Sequence, residues 1–397
     1  MRILLAPNAF KGTLSGSEAA EAIESALRPA FPGAFFEKAP VSDGGDGLLD
    51  VLAPALGLRI MTLGVCGPLG VKVKARMALS AGPGRQRTAI IEMAEACGLR
   101  LLPEGVKRPM EASTRGAGEL IGAALRLGAR EIIVGLGGSA SSDAGAGCAA
   151  AAGLRLVDKN GAVISDGAGG LLELERVLGA GALRSRLRGV KVRALADVSN
   201  ALCGPLGSAR VYGPQKGASP AQARLMEKAL VNFAAVVSRD LGVATANLPR
   251  GAAAGGLAAG LYAFFGAELL DGAQFVLKKL DFEARVKRAD LIITGEGRFD
   301  SQTFSGKAPG AVARLAGKFS KPLILVCGES RVRGKKKLSA AGITRVIDAS
   351  KYFTLQELLA RPRETICAAV RMSFRLPPAA DWQPPRGGPG RRGRRAD

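Results

Sequence analysis

The feature that most narrows the possible folds is the alternation of short apolar runs with helix-forming stretches along nearly the whole chain. Arg2–Ala6 reads as a strand. The pair Ser15 and Glu18 then forms a capping box for a helix that turns Ile23 and Leu27 toward the core and stops at Pro29. A strand near Phe35 leads into SDGGDG and the helical DGLLDVLAPAL. RIMTLGV, VKVKARMAL and TAIIEM read as strands, followed by helix 115–127, strand 131–136 and helix 143–153. VKVRALAD, two helices over 220–240 and 255–266, DLIITGEG, helix 307–318, PLILVCGES, ITRVIDAS and helix 354–371 continue the pattern. Such alternation predicts an α/β fold with mainly parallel sheets.

The length of 397 residues suggests two or three domains. With 47% hydrophobic residues and no apolar run long enough to span a bilayer, a soluble globular protein is expected, with no membrane partner. MRILLAPNAF reads as a first strand and not as a signal peptide. The six cysteines form no CxxC pair, which points to reduced thiols in a cytoplasm.

The chain has no histidine. That excludes Ser-His-Asp triads, HExxH zinc sites and imidazole proton shuttles together. Acid–base chemistry falls to Asp, Glu, Lys or an activated cysteine, and a metal would be a hard ion on oxygen ligands, such as Mg²⁺. The formal charge of +22 is compatible with attraction of nucleic acid, with concentration of small anionic substrates, or with a plain bias toward Arg, Ala and Gly.

In parallel sheets ligands gather where strands end and helices begin. Four such junctions are rich in glycine and charge. APNAFKGTLSG carries Lys11, which could reach a phosphate or simply be solvated. PVSDGGDG places Asp43 and Asp46 around two glycines, also a common turn composition. In GLGGSASSDAGAG, glycines with Ser139, Ser141 and Ser142 can aim N–H groups and hydroxyls at an anion, or serve close packing. In TGEGRFDSQTFSGK, Glu296, Arg298 and Asp300 alternate, so an extended backbone would project all three to one side, an arrangement suited to Mg²⁺ and phosphate.

Two sharper patterns bear on these junctions. The P-loop pattern fails at Gly306-Lys307, where Ala308 replaces the hydroxyl residue and Ser301 the first glycine. GxGxxG/A does fit Gly135, Gly137 and Ala140, with Asp158 about twenty residues on, which keeps an NAD-binding oxidoreductase as a rival. A nucleic-acid-binding protein using the basic surface and the Arg-Gly tail is a second rival, weakened by an aromatic content of only 5%.

Taken together the junctions resemble the bacterial glycerate kinase family of glucarate and glyoxylate metabolism, over roughly residues 1–375. The resemblance rests on APNAFKGTLS, PVSDGGDG, IEMAEACGL, STRGAGELI, GLGGSASSDAGAG, ADVSNALCGPLGSARVYGPQKGAS, AAAGGLAAGL and TGEGRFDSQTFSGKAPGAVA. It departs at Asn8 and Ala9 (usually Asp and Ser), at Asp46 (usually Glu), at Ser141-Ser142-Asp143-Ala144 (usually Thr-Asn-Asp-Gly) and at Ala201 (usually proline). The resemblance implies phosphorylation of D-glycerate with ATP and Mg²⁺, 2-phosphoglycerate being favoured over 3-phosphoglycerate. It also implies two α/β lobes, the second inserted into the first, with the active cleft between them. The expected division is 1–62 with 276–375 for one lobe, 63–275 for the inserted lobe, and 376–397 for a disordered basic tail.

On this reading Asp197, Lys11 and Asp43 are catalytic, Asp197 orienting or deprotonating the substrate hydroxyl. Gly137, Gly138, Ser139, Asp143, Lys216 and Arg298 bind the nucleotide, with Asp143 either fixing its loop through hydrogen bonds or helping to hold Mg²⁺. Lys216 could balance the charge of Asp197, and Glu296 and Asp300 are the metal ligands. The Pro/Gly/Arg-rich tail lies beyond the resemblance and has too little apolar content to join a core. Its removal should leave kcat for glycerate near normal; a large loss in a folded truncation would show that the tail covers the site.

Overall fold

A computed structural model describes residues 1–81, 87–332 and 334–376. All of the basic tail beyond residue 376 lies outside the described residues. The strands are β1 (Arg2–Pro7), β2 (Phe35–Lys38), β3 (Leu58–Cys66), β4 (Lys72–Ser80), β5 (Thr88–Glu92), β6 (Glu131–Gly135), β7 (Arg155–Val157), β8 (Arg176–Leu178), β9 (Lys191–Ala196), β10 (Glu268–Asp271), β11 (Leu291–Phe299), β12 (Leu323–Ser330) and β13 (Arg345–Asp348). They build a five-stranded sheet in the order β13-β12-β11-β1-β2 and a six-stranded sheet in the order β10-β9-β6-β5-β4-β3. The first is parallel throughout. The second is parallel from β10 to β5 and ends in antiparallel β4 and β3. Strands β7 and β8 form a small antiparallel pair of their own.

Strands of parallel sheets are covered on both faces, and successive side chains here enter different cores. Ile3 and Leu5 pack with Ile293 and Val326 under the helices Gly16–Leu27 and Pro362–Ser373. Their neighbours Leu4, Ile292 and Leu325 face a core that also contains Ile90, Ile133 and Leu195 of the second sheet. Helices Leu48–Ala55, Gly272–Lys279 and Ala308–Lys318 fill that shared layer. The outer face of the second sheet, with Met77, Ile91, Val134 and Ala194, is closed by Arg115–Arg126, Pro220–Leu241 and Leu257–Phe265. The α/β class with mainly parallel sheets therefore holds.

The local signals read from the sequence operate as expected at the first helix, where Ser15 and Glu18 form a reciprocal capping box. Two helices are shorter than their patterns. The stretch 143–153 is helical only over Ala146–Ala151, because Ala144 (φ +49°) and Gly145 (φ +78°) make a left-handed turn first. The stretch 354–371 splits into Leu355–Ala360 and Pro362–Ser373, since Pro362 has no N–H to continue the ladder.

The loop Ser42–Gly47 leaves the first sheet and lies across the ends of β6 and β9 of the second. A Cβ on Gly44 would stand 2.8 Å from Leu195 Cβ, one on Gly135 would stand 2.6 Å from the Gly44 carbonyl, and one on Gly137 would stand 2.5 Å from Gly45 Cα. Gly272 opens the following helix against the same loop, and its missing Cβ would be only 2.0 Å from the Asp43 carbonyl oxygen. Gly272→Ala must push these backbones apart, at a cost of about 1–3 kcal/mol or more. Gly33→Ala, with nothing within 4 Å of the new methyl, is the matched control in chemical denaturation. Equal stability of the two variants would refute the tight docking.

Candidate active site

The candidate side chains come from the C-terminal ends of strands in both sheets. Asn8 and Lys11 follow β1, Asp43 and Asp46 follow β2, Asp197 follows β9, and Glu296 sits in β11 with Asp300 just beyond it. Asn8 and Asp43 are buried, and Asn8 Nδ2 donates to Asp43 Oδ2 at 3.3 Å. The Asn8 Oδ1 accepts the Ala9 N–H at 2.8 Å, so the amide has one orientation and its NH₂ faces the carboxylate. Asp43 Oδ1 takes the Gly45 N–H at 3.3 Å, which ties the acid to its own glycine turn.

Lys11 keeps contact with solvent and lies in the field of Asp43, Asp197, Asp46 and Glu296. Asp43 is the main cause holding its ammonium above the ordinary lysine range, against the opposing effect of burial. Burial pushes Asp197 up to about 6, with Asp43 adding repulsion and Lys11 and Lys307 pulling the other way. Burial also pushes Glu296 up to about 7, opposed by the Thr303 hydroxyl that donates to it and by Lys307. Lys307 Nζ lies 3.6 Å from both Glu296 Oε2 and Asp300 Oδ1 and so bridges the two acids.

The sequence-predicted residues thus divide. Lys11, Asp43, Asp197 and Glu296 share one electrostatic field, and Asp300 joins it through Lys307. Arg298 does not join Glu296 and Asp300 around Lys307; it is an exposed partner of Glu329 at 3.1 Å. Its strand continues extended to Phe299, so Arg298 stands beside Glu329 in the register of β11 on β12. Lys216 does not pair with Asp197. It is buried and donates to Ser139 Oγ at 2.9 Å and to the Ser141 carbonyl, bracing the glycine-rich loop from within.

Asp143 is fully buried and accepts from Thr114 N (2.8 Å), Thr114 Oγ1 (2.9 Å), Gly145 N (3.2 Å) and Gly147 N (3.2 Å). Its lone pairs are committed to pinning the loop. Gly137 and Gly138 press on the acidic loop, and at Gly138 (φ +65°) a Cβ would be 2.8 Å from Asp46 Oδ1.

Sequence reasoning missed Lys307, Thr303 and Glu92 as members of this neighbourhood. Lys307 falls where the P-loop pattern fails, and the signal that could find it is its place as N-cap residue, two before Pro309, at a strand-end loop. Glu92 ends β5, is 1% exposed, and accepts the Leu49 N–H at 3.4 Å, while its Oε1 has no hydrogen-bond partner and lies 4.0 Å from Arg100. Burial, then Asp46, pushes it up to about 7.

A dinucleotide site of the kind that GxGxxA suggests is not formed. Asp158 accepts the N–H groups of Asn160 and Ala162 in a tight turn after β7, which belongs to the separate β7–β8 pair and not beside β6.

For a metal, no group of three or more acidic or cysteine side chains converges among the described residues. The donor set present is Glu296, Asp300 and the Thr303 hydroxyl, all oxygen. It fits Mg²⁺, which commonly takes one or two carboxylates and completes its shell with phosphate oxygens and water.

Carboxylates, lysines and glycine-rich strand ends of this kind define a phosphotransferase-like site on a parallel α/β scaffold. Residues 3–376 match the model of the glycerate kinase family. The chain is 45% identical over 328 residues to a glycerate kinase of Bacillus subtilis, covering 83% of this chain and 85% of the relative. It is 41% identical over 372 residues to glycerate 2-kinase of Escherichia coli, covering 94% and 96%. A crystal structure assigned to glycerate kinase 2 of Salmonella typhimurium superposes with a TM-score of 0.76 at 39% identity, covering 94% of this chain and 97% of that one. The chain belongs to the glycerate kinase family and is a kinase.

Glu92 yields a test of the site's electrostatics. Its folded value lies above the ordinary 4.5, so the penalty for ionising it is absent below about 4.5, grows through the interval up to about 7, and is complete above that. Glu92→Gln keeps the shape and removes the charge. The variant should be more stable than the parent at pH 8, on the order of 2 kcal/mol, with the advantage shrinking toward pH 4.5. An advantage that does not change between pH 5 and 8 would show that the carboxylate carries no such penalty.

Proposed function

We propose that the protein transfers the terminal phosphoryl group of ATP, with Mg²⁺, to a hydroxyl of D-glycerate, forming 2-phosphoglycerate in preference to 3-phosphoglycerate. The observation that carries this reading is the meeting of Lys11 with Asp43, Asp197 and Glu296 at strand ends of both sheets. The name of the Escherichia coli relative, a glycerate 2-kinase, supports the choice of hydroxyl. The two sheets with their helices are read as the two lobes, and the crevice where their strand ends face each other as the cleft.

Phosphoryl transfer asks for positioning and charge neutralisation more than for covalent chemistry. Lys11, cationic and still accessible, meets the anionic substrate or the transferring phosphoryl group. Asp197 orients the substrate hydroxyl and accepts its proton; a value near 6 leaves it ionised at neutral pH yet basic enough to take part. Asp43, held by Asn8 and Gly45, keeps Lys11 charged and placed. Glu296 and Asp300 hold the metal side of the nucleotide, and Lys307 neutralises them when they are not so engaged. Mg²⁺ would supply charge neutralisation of the phosphate oxygens. The loop with Gly137, Gly138 and Ser139, pinned by Asp143 and Lys216, offers N–H and hydroxyl donors to the phosphates. Arg298, on the exposed side of β11, contributes at most at the rim.

A kinase assay with ATP, Mg²⁺ and D-glycerate, with the product read by phosphorus-coupled NMR, tests the activity and the hydroxyl used. Asp197→Asn should lower kcat by about 10²–10⁴ and leave nucleotide affinity nearly unchanged. The parent kcat should fall as pH drops through about 6, where Asp197 gains its proton, and this acid limb should be missing from the residual activity of the variant. Full turnover by Asp197→Asn, or rescue of its defect by added Mg²⁺, would reverse the roles given to Asp197 and Glu296.

A further inference from the structure

Lys216 is a buried lysine with no ion-pair partner. It is 2% exposed, and among the described residues no carboxylate comes within ion-pair distance of its Nζ. Two of its three donors go to neutral acceptors, Ser139 Oγ and the Ser141 carbonyl. The nearest acid that acts on it, Asp143, has its oxygens committed to Thr114, Gly145 and Gly147. The stem of Lys107 lies against Gly217, next to Lys216 in the chain. Beside the ammonium, the Ser141 hydroxyl is wholly buried and, among the described residues, also without a hydrogen-bond partner.

Buried charges are ordinarily paired, because an isolated one forfeits its hydration. Lys216 reaches the glycine-rich loop from the turn Pro214–Lys216, and with the Ser141 hydroxyl of that loop it makes two buried polar groups that an anion would satisfy. Burial pulls the lysine down to about 7, opposed by the charge of Asp143. Above that value the free enzyme holds Lys216 largely neutral.

We propose that Lys216 is a proton-linked phosphate receptor: it forms its first ion pair with a phosphate oxygen of the bound nucleotide, and takes one proton from solvent as it does so. The proposal rests on the kinase reading and adds to it a coupling of nucleotide binding to proton uptake. The balance is simple, since the neutral amine gains one proton at Nζ and no other bond is made or broken.

The sign of the pH dependence separates Lys216 from its neighbours. Glu92, Glu296 and Asp197, with values of about 7, 7 and 6, also gain protons when an anion arrives, but that uptake fades as pH rises above them. A terminal phosphate titrates near 6 and is ionised throughout. Uptake that increases between pH 7 and pH 9 belongs to a lysine that is neutral at the upper end. Calorimetric titration of the whole protein with ADP, in buffers of different ionisation enthalpy, measures the uptake directly.

The parent protein should take up more protons per ADP at pH 9 than at pH 7, the share lost in Lys216→Met being about half a proton at pH 7 and about one at pH 9. Lys216→Met should bind ADP at least about tenfold more weakly at pH 7, since an ion pair to phosphate is lost, and should show no increase in uptake with pH. Lys216→Arg, charged over the whole range, should bind with no added uptake at pH 9. If neither variant folds, the pH dependence of the parent decides alone. Uptake that falls from pH 7 to pH 9 in the parent, or an increase that persists in Lys216→Met, overturns the proposal and leaves the kinase reading standing. Absence of any ADP binding by the parent overturns both.

Discussion

Two loops from different sheets touch backbone to backbone, and the site exists because they do. The acidic turn after β2 and the glycine-rich turn after β6 meet through Gly44, Gly45, Gly135 and Gly137, at separations that leave no room for a methyl group at Gly44, Gly135 or Gly137. Side chains at these positions would hold the turns apart by the thickness of another layer of atoms. Asp43 and Asp46, which belong to the first sheet, would then no longer share a field with Asp197 and the loop beside Glu92, which belong to the second. Shape, not charge, is what the glycines contribute, and the charges inherit their distances from it.

Within that frame the protein makes groups that titrate near neutrality without a single histidine. Burial lifts Asp197 to about 6 and Glu296 and Glu92 to about 7, and it lowers Lys216 to about 7. Carboxylates rise and lysines fall for the same reason, since each loses hydration of its charged form. Lys11 goes the other way because it retains solvent contact and sees four acids. The environment thus supplies what imidazole supplies in other enzymes.

Much of the scaffold was legible in the sequence because its signals are local. Capping boxes, apolar runs and glycine–aspartate junctions each act over a few residues, and they located the strand ends from which Lys11, Asp43, Asp197 and Glu296 project. What escaped is tertiary. Asp143 reads as a helix-start acid, yet a left-handed Ala144 turns it inward to Thr114, a residue 29 positions earlier. Alternation along β11 puts Arg298 and Glu296 on one face, but it cannot say that Glu329 on the neighbouring strand takes the arginine. Lys307 and Glu92 gain meaning only from the acids that the fold sets around them.

The order of strands in the first sheet bears on how the chain can be made. Strand β1 is flanked by β2 and by β11, and Leu4 lies opposite Ile292. Every residue of the six-stranded sheet, from Leu58 to Asp271, is synthesised between those two partners. At about 5–20 residues per second, β1 waits roughly 15–60 s for β11 to emerge. During that interval the partners already made for Ile3, Leu4 and Leu5 are β2, the first helix and Leu48–Ala55. Ile90, Ile133 and Leu195 of the intervening sheet belong to the same core as Leu4. Strand β1, made well before β11, is thus among the last of its sheet to be completed, and an incompletely paired apolar strand is open to aggregation while it waits.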